Sequence, residues 1–270
     1  MPRAKVQDIE LYYEIHGKGY PIVLIRGLGS NADHWYRQVP VLSSTYKVIT
    51  FDNRGIGRSD TPDGPYTIPM MAEDTLGLMD TLGISKAHIL ALSMGGMIAQ
   101  EIALKYPEKV NGLVLACTHC GGDHAVSASE EIVRIFAEFI FTGSQEAAQK
   151  AVKCLFAEHT MREAPEVVQQ YQEVSGKFPP ATEVLVRQLE AVRDHNTWED
   201  LPNIKTPTFI LTGDEDVLVP PENSRILAER IPGARLQVIE KGGHQFLVEQ
   251  AGASNGAVLE FLKALSPVKN

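Results

Sequence analysis

The chain has 270 residues, 44% apolar and 22% charged, with 22 Gly and 16 Pro, a globular composition and not a disordered or low-complexity one. Its 25 basic and 34 acidic residues leave a net charge of −9, and an acidic chain without a basic run is a poor partner for nucleic acid or an anionic bilayer. The longest stretch free of Asp, Glu, Lys and Arg is Ala87–Gln100, short of the ~18–20 apolar residues a membrane-spanning helix needs. The opening MPRAKVQDIELYY has no apolar block behind its basic residues, so no secretory signal is expected. Cys117, Cys120 and Cys154 cannot all pair; no disulfide framework is expected, and a reducing, cytoplasmic home fits them.

In chain order, Ile9–Ile15 alternates and reads as a half-exposed strand. Pro21–Ile25, Tyr46–Phe51, Ala87–Leu92 and Val110–Ala116 are short, continuous apolar runs, as strands are in a sheet covered by helices on both faces. Between them, Met70–Leu82 and Met97–Tyr106 have helical periodicity. From about Gly121 to Asp200 the strand-like runs vanish, and Glu130–Phe141, Gln145–Glu158, Pro165–Ser175 and Ala181–His195 read as helices that hold most of the net negative charge. Alternation resumes with Thr208–Thr212, Arg225–Arg230, Arg235–Ile239 and a last helix near Ala257–Leu265. The expected architecture is an α/β core of residues 1–119 and 201–270 with a mostly parallel sheet, interrupted by a helical cap of residues 120–200.

The run Ala87–Leu92 enters Ser93-Met94-Gly95-Gly96, and a helix follows at once. A serine with small residues two before and two after, here Ala91 and Gly95, fits a nucleophile elbow, whose sharp turn forces the hydroxyl into the open. The plainer reading is a serine N-cap with glycines for close helix packing. Two later turns favour the first. Thr208–Thr212 runs into Gly213-Asp214-Glu215-Asp216, and Arg235–Ile239 is followed by Lys241-Gly242-Gly243-His244; both turns lie at a strand's C-terminal end, where α/β sheets place their sites. Serine is inert until an imidazole takes its proton, and a carboxylate fixes and stabilises that imidazole. Ser93, Asp216 and His244 are therefore the candidate catalytic residues, with Asp214 and Glu215 as rival carboxylates. Cys117, His119, Cys120 and His124 could hold a metal, but sites with that spacing bring a second distant pair, which Cys154 alone does not supply. No metal and no cofactor are expected.

These motifs, together with Asp52-Asn53-Arg54-Gly55-Ile56-Gly57-Arg58-Ser59, resemble the α/β-hydrolase superfamily over essentially the whole chain. Gly64-Pro65-Tyr66-Thr67-Ile68 and Leu92–Ile98 are similar to the 3-oxoadipate enol-lactonase branch and its carboxylesterase relatives. The resemblance implies an α/β-hydrolase fold, a variable cap at 120–200, an oxyanion hole made by the backbone N–H groups of Leu28 and Met94, and a scaffold role for Asp52, Arg54 and Ser59. Where relatives often have His-Gly, this chain reads Arg26-Gly27-Leu28-Gly29. Arg26 is expected to form a structural salt bridge, with a pocket cation near the substrate as the sharper alternative. The implied activity is cofactor-free hydrolysis of a small-molecule ester or lactone through an acyl-enzyme on Ser93. A ligand-sensing module with little turnover, carbon–carbon bond hydrolysis and perhydrolysis would use the same triad and stay open. Because the elbow holds Ser and not Asp, branches that attack with a carboxylate are disfavoured.

Overall fold

The structure is a computed structural model and describes residues 1–265. Eight strands, β1 (Arg3–Val6), β2 (Ile9–His16), β3 (Pro21–Ile25), β4 (Lys47–Phe51), β5 (Ala87–Leu92), β6 (Val110–Ala116), β7 (Thr208–Gly213) and β8 (Arg235–Ile239), form one sheet in the order β1-β2-β4-β3-β5-β6-β7-β8. β1 and β2 pair antiparallel, as do β2 and β4, and every later pairing is parallel. The apolar runs are strands because alternate residues serve opposite cores. Val23, Ile25, Ile89 and Ala91 face one core; Ile22, Leu24, Leu90 and Leu92 face the other.

The helices are α1 (Val39–Leu42), α2 (Ile68–Thr81), α3 (Met94–Lys105), α4 (Glu130–Thr142), α5 (Gln145–Lys153), α6 (Glu158–Glu163), α7 (Pro165–Ser175), α8 (Thr182–Asp194), α9 (Glu222–Arg230), α10 (Phe246–Glu249) and α11 (Ala251–Lys263). α2, α3 and α9 cover the first core through residues such as Met71, Ile98 and Leu227. α10 and α11 cover the second through Phe246, Val258 and Phe261. α4 to α8 all fall between β6 and β7, and a single bridge between Gly121 and Asn196 closes the base of that segment. Its helices have local start and stop signals: Ser129 accepts from the Ile132 amide, Gly143 ends α4 in the left-handed conformation, and Ser144 accepts from the Ala147 amide.

The mostly parallel α/β sheet matches the sequence reading; the short helices α1 and α10 were not expected, the last helix starts at Ala251 and not near Ala257, and three further differences have a local cause. β1 was not anticipated, since a four-residue strand with only Ala4 and Val6 buried leaves little periodicity to read. α3 begins directly at Met94, because the elbow turns the chain within one residue. The helix expected over Gln145–Glu158 stops at Lys153, and α6 starts only at Glu158, because the backbone between α5 and α6 is spent elsewhere. Leu155 O accepts from the Gln245 amide at 2.9 Å, and the Ala157 amide donates to Glu249 Oε2 at 2.8 Å.

Candidate active site

Ser93 leaves β5 with φ 57° and ψ −125°, a conformation that costs a non-glycine residue on the order of 1–3 kcal/mol. The fold holds it there: the Ser93 amide donates to Ala116 O at 2.8 Å, and Ser93 O accepts from the Gly96 amide at 2.7 Å. The turn has no spare room, since a Cβ on Gly95 would stand 2.3 Å from Ile25 O. Ser93 itself stays half-exposed while its neighbours in β5 and α3 are buried. The strain presents one hydroxyl at the C-terminal edge of the sheet.

Asp216 follows β7 and His244 follows β8, and the structure brings them together. Asp216 Oδ2 lies 2.8 Å from His244 Nδ1, with both side chains buried. The second oxygen, Oδ1, accepts from the amides of Leu218 and Val219, each at 2.9 Å. A carboxylate with its oxygens so engaged accepts, so Nδ1 carries the ring proton and Nε2 is left to act as a base. The rivals stand apart: Asp214 Oδ1 accepts from the Gly242 amide at 3.2 Å and Glu215 is exposed. Among the described residues no hydrogen bond joins the Ser93 hydroxyl to the His244 ring; such contacts commonly tighten only when substrate docks.

The loop after β3 lies against the serine, since a Cβ on Gly27 would stand 2.9 Å from Ser93 Cβ. Among the described residues the amides of Leu28 and Met94 have no acceptor, and Met94 opens α3, whose N-terminal dipole favours negative charge. Gln188 of α8 accepts from the Gly29 amide at 2.9 Å and so fastens this loop to the helical segment. Gln188 and Glu249 are supports that no spacing or motif in the sequence marks. Each acts mainly through bonds to backbone groups of other elements, Gln188 on Gly29 and Arg54, and Glu249 on Ala157 and Gly243.

Arg26 does not form the expected salt bridge. Its guanidinium is buried, lies 4.8 Å from the Trp35 ring centroid and donates to Gln245 Oε1 at 3.1 Å, while Nε and Nη1 meet no acceptor. The end of β3 points it into a region walled by aromatic rings, and among the described residues no carboxylate pairs with it. Asp52 accepts from the Ala32 and Arg58 amides at 2.7 and 2.9 Å, and Arg54 pairs with Asp74. The Ser59 hydroxyl donates to Asp52 O at 2.6 Å and accepts from the Tyr12 amide at 2.9 Å. These bonds brace the turn.

The Cys/His cluster does not converge. His119 Nδ1 accepts from the Gly121 amide, Cys120 Sγ points to Gly121 O and His124 stacks on Trp198. Among the described residues, the metal-capable grouping is Cys117 with Asp216 and His244, ligand atoms within 4.8 Å of one another. It suits a metal poorly. Asp216 engages the Nδ1 of His244, and burial pushes the Cys117 thiol well above its usual range, away from the thiolate a metal needs.

Comparison with known proteins places this arrangement. A family model described as alpha/beta hydrolase fold matches residues 20–251. A protein of Azorhizobium caulinodans that carries the name carbamate hydrolase RutD is 31% identical over 262 residues, covering 97% of this chain and 98% of its own. The crystal structure of the enol-lactonase from Burkholderia xenovorans LB400 superposes with a TM-score of 0.87 at 31% identity, covering 97% of this chain and all of that one. A thermophilic esterase from Thermogutta terrifontis gives 0.86 at 29% identity, over 99% of this chain.

Proposed function

This chain belongs to the α/β-hydrolase fold family, and from that premise we propose that it is a serine hydrolase of carboxylic esters or lactones, working without a cofactor. The observation that carries the reading is the 2.8 Å contact between Asp216 and His244 on the same sheet edge as the strained elbow of Ser93. Relatives named for carbamate, lactone and ester cleavage support an acyl bond as the target.

In this reading Ser93 Oγ attacks the substrate carbonyl while His244 Nε2 takes its proton. The amides of Leu28 and Met94 donate to the oxyanion, a contribution of about 3–4 kcal/mol per donor in comparable sites. His244 then gives the proton to the departing alkoxide. A water, deprotonated by the same nitrogen, attacks the acyl-enzyme, frees the acid and restores Ser93. Asp216 keeps the ring in the right tautomer and stabilises the imidazolium.

Residues 120–200 serve as the cap over this site, set on the core of residues 1–119 and 201–270. The stripe Ile132, Ile135, Phe136 and Phe139 on α4 is only half-buried, an apolar face free to roof a small-molecule substrate. Among the described residues no helix is long and apolar enough to cross a membrane. Three free cysteines support a reducing cytoplasm as the location.

The test combines turnover on a panel of aryl esters and lactones with labelling by a fluorophosphonate and mapping of the label. Turnover with the label on Ser93 is the expected result. A label elsewhere would overturn the nucleophile, and labelling without turnover of any ester or lactone would favour a ligand-holding module.

A further inference from the structure

Arg26, the residue after β3, is 1% exposed; its Nη2 donates to Gln245, while among the described residues Nε and Nη1 meet no acceptor within hydrogen-bond distance. A buried guanidinium without a counter-charge is among the least favourable arrangements a fold can hold. Its surroundings do not correct the imbalance. The Tyr36 hydroxyl and the Trp35 indole N–H are also buried without an acceptor. The Tyr171 hydroxyl, a neutral group, is near enough to the guanidinium to accept from it, and the Tyr36 hydroxyl lies within electrostatic reach of the charge. Burial pushes the Tyr36 hydroxyl upward in pKa, so it remains protonated and can donate. The region offers N–H and O–H donors and, among the described residues, no carboxylate paired with the guanidinium. What it lacks is an anion.

Its place beside the site indicates where the anion comes from. The next residue, Gly27, lies against Ser93. The hydrogen-bond partner, Gln245, directly follows His244, and Tyr171 comes from α7 of the helical segment. The cluster is therefore one residue along the chain from groups at both reacting side chains, and it takes Tyr171 from the helical segment.

We propose that Arg26, with Tyr36 beside it, is an anion subsite that receives a carboxylate carried by the substrate, so that acidic esters or lactones are the preferred class. The inference rests on the serine-hydrolase reading and narrows it. A guanidinium is permanently charged, and its open N–H groups match carboxylate oxygens. The missing counter-charge then arrives with the ligand, and neutral analogues leave the charge unpaired.

The experiment compares phenyl hemiglutarate with phenyl pentanoate, of similar length but differing in charge. Wild type should prefer the hemiester in kcat/KM, and Arg26→Met should lower that preference by on the order of 10- to 100-fold, the loss of a hydrogen-bonded charge. Arg26→Lys should retain part of it. An equal fall on both esters would reduce Arg26 to a prop for Gln245 and overturn the subsite, as would a wild type indifferent to charge. A second arm needs no turnover: calorimetry of glutarate binding to Ser93→Ala, with and without Arg26→Met. Arg26-dependent binding together with a wild type that turns over neither ester would keep the subsite and sink the hydrolase reading. Turnover without Arg26-dependent binding would sink the subsite alone. Should Arg26→Met not fold, glutarate inhibition of pentanoate hydrolysis, compared between wild type and Arg26→Lys, decides; no inhibition of either overturns the proposal.

Discussion

Glu249 holds the amide of Gly243 at 2.8 Å with one carboxylate oxygen. The other oxygen takes the amide of Ala157, also at 2.8 Å. One side chain thus ties the turn that carries His244 to the segment between α5 and α6. Burial pushes its carboxyl pKa up, but three hydrogen-bonded donors, the Thr160 hydroxyl and the two amides, oppose that shift. Removing the carboxylate leaves two amides without their partner. Glu249→Ala should lower stability by about 2–3 kcal/mol in urea unfolding and should reduce kcat more than it raises KM, because the histidine turn loosens. Unchanged stability would mean that the turn holds itself.

Gln188 of α8 ties the helical segment between β6 and β7 to the loop after β3 through the Gly29 amide. Gln188→Leu should therefore impair chemistry, with kcat on a small activated ester falling by on the order of tenfold, as expected for a loop donor displaced from the oxyanion. Apolar-to-Ala changes at Phe136 or Phe139, by contrast, should shift preference among acyl groups more than they slow the small ester. If Gln188→Leu altered only substrate preference, the cap would be a selector and no part of the machinery.

Burial holds four histidines neutral: the pKa falls to about 3 for His34 and His195 and to about 4 for His88 and His119. Unfolded, each titrates near ~6.5. Below that pH the unfolded chain binds more protons, so this contribution is fully present above ~6.5 and drains as pH falls toward the folded values. Each histidine accounts for up to about 1.4 kcal/mol per pH unit in that window. His195→Phe should make the stability lost between about pH 7 and about pH 5 smaller by roughly 2 kcal/mol. An identical acid loss in both proteins would contradict the assignment.

Arg54 grips Asp74 through Nε and Nη2 at 2.6 and 2.7 Å, with both side chains buried. Burial pushes the Asp74 carboxyl up even beside that guanidinium. Asp74→Ala strands the charge and should cost about 3–5 kcal/mol of stability, while the folded fraction still reacts with a fluorophosphonate at Ser93. A loss below about 1 kcal/mol would mean that water reaches Arg54.

The central strands were legible because β3, β5 and β6 are apolar on both faces, a pattern that needs no knowledge of partners. The turns bearing Ser93, Asp216 and His244 could be found because each is marked by small residues at a strand end. β1 and the break between α5 and α6 were not, since both depend on tertiary hydrogen bonds. Arg26 shows the limit most clearly. Its residue type suggested an ion pair, but whether a carboxylate faces it is a property of packing. The structure surrounds it with Trp35, Tyr36 and Gln245 instead.

The most direct test of the account is the kinetic cycle of Ser93→Ala, His244→Ala and the double variant on one ester, with folding checked by calorimetry. If the two residues share one proton transfer, either single change should lower kcat by on the order of 10⁴–10⁶, and the double variant should be hardly worse. Losses that multiply in the double variant would mean that Ser93 and His244 act independently, and the proposed mechanism would be wrong.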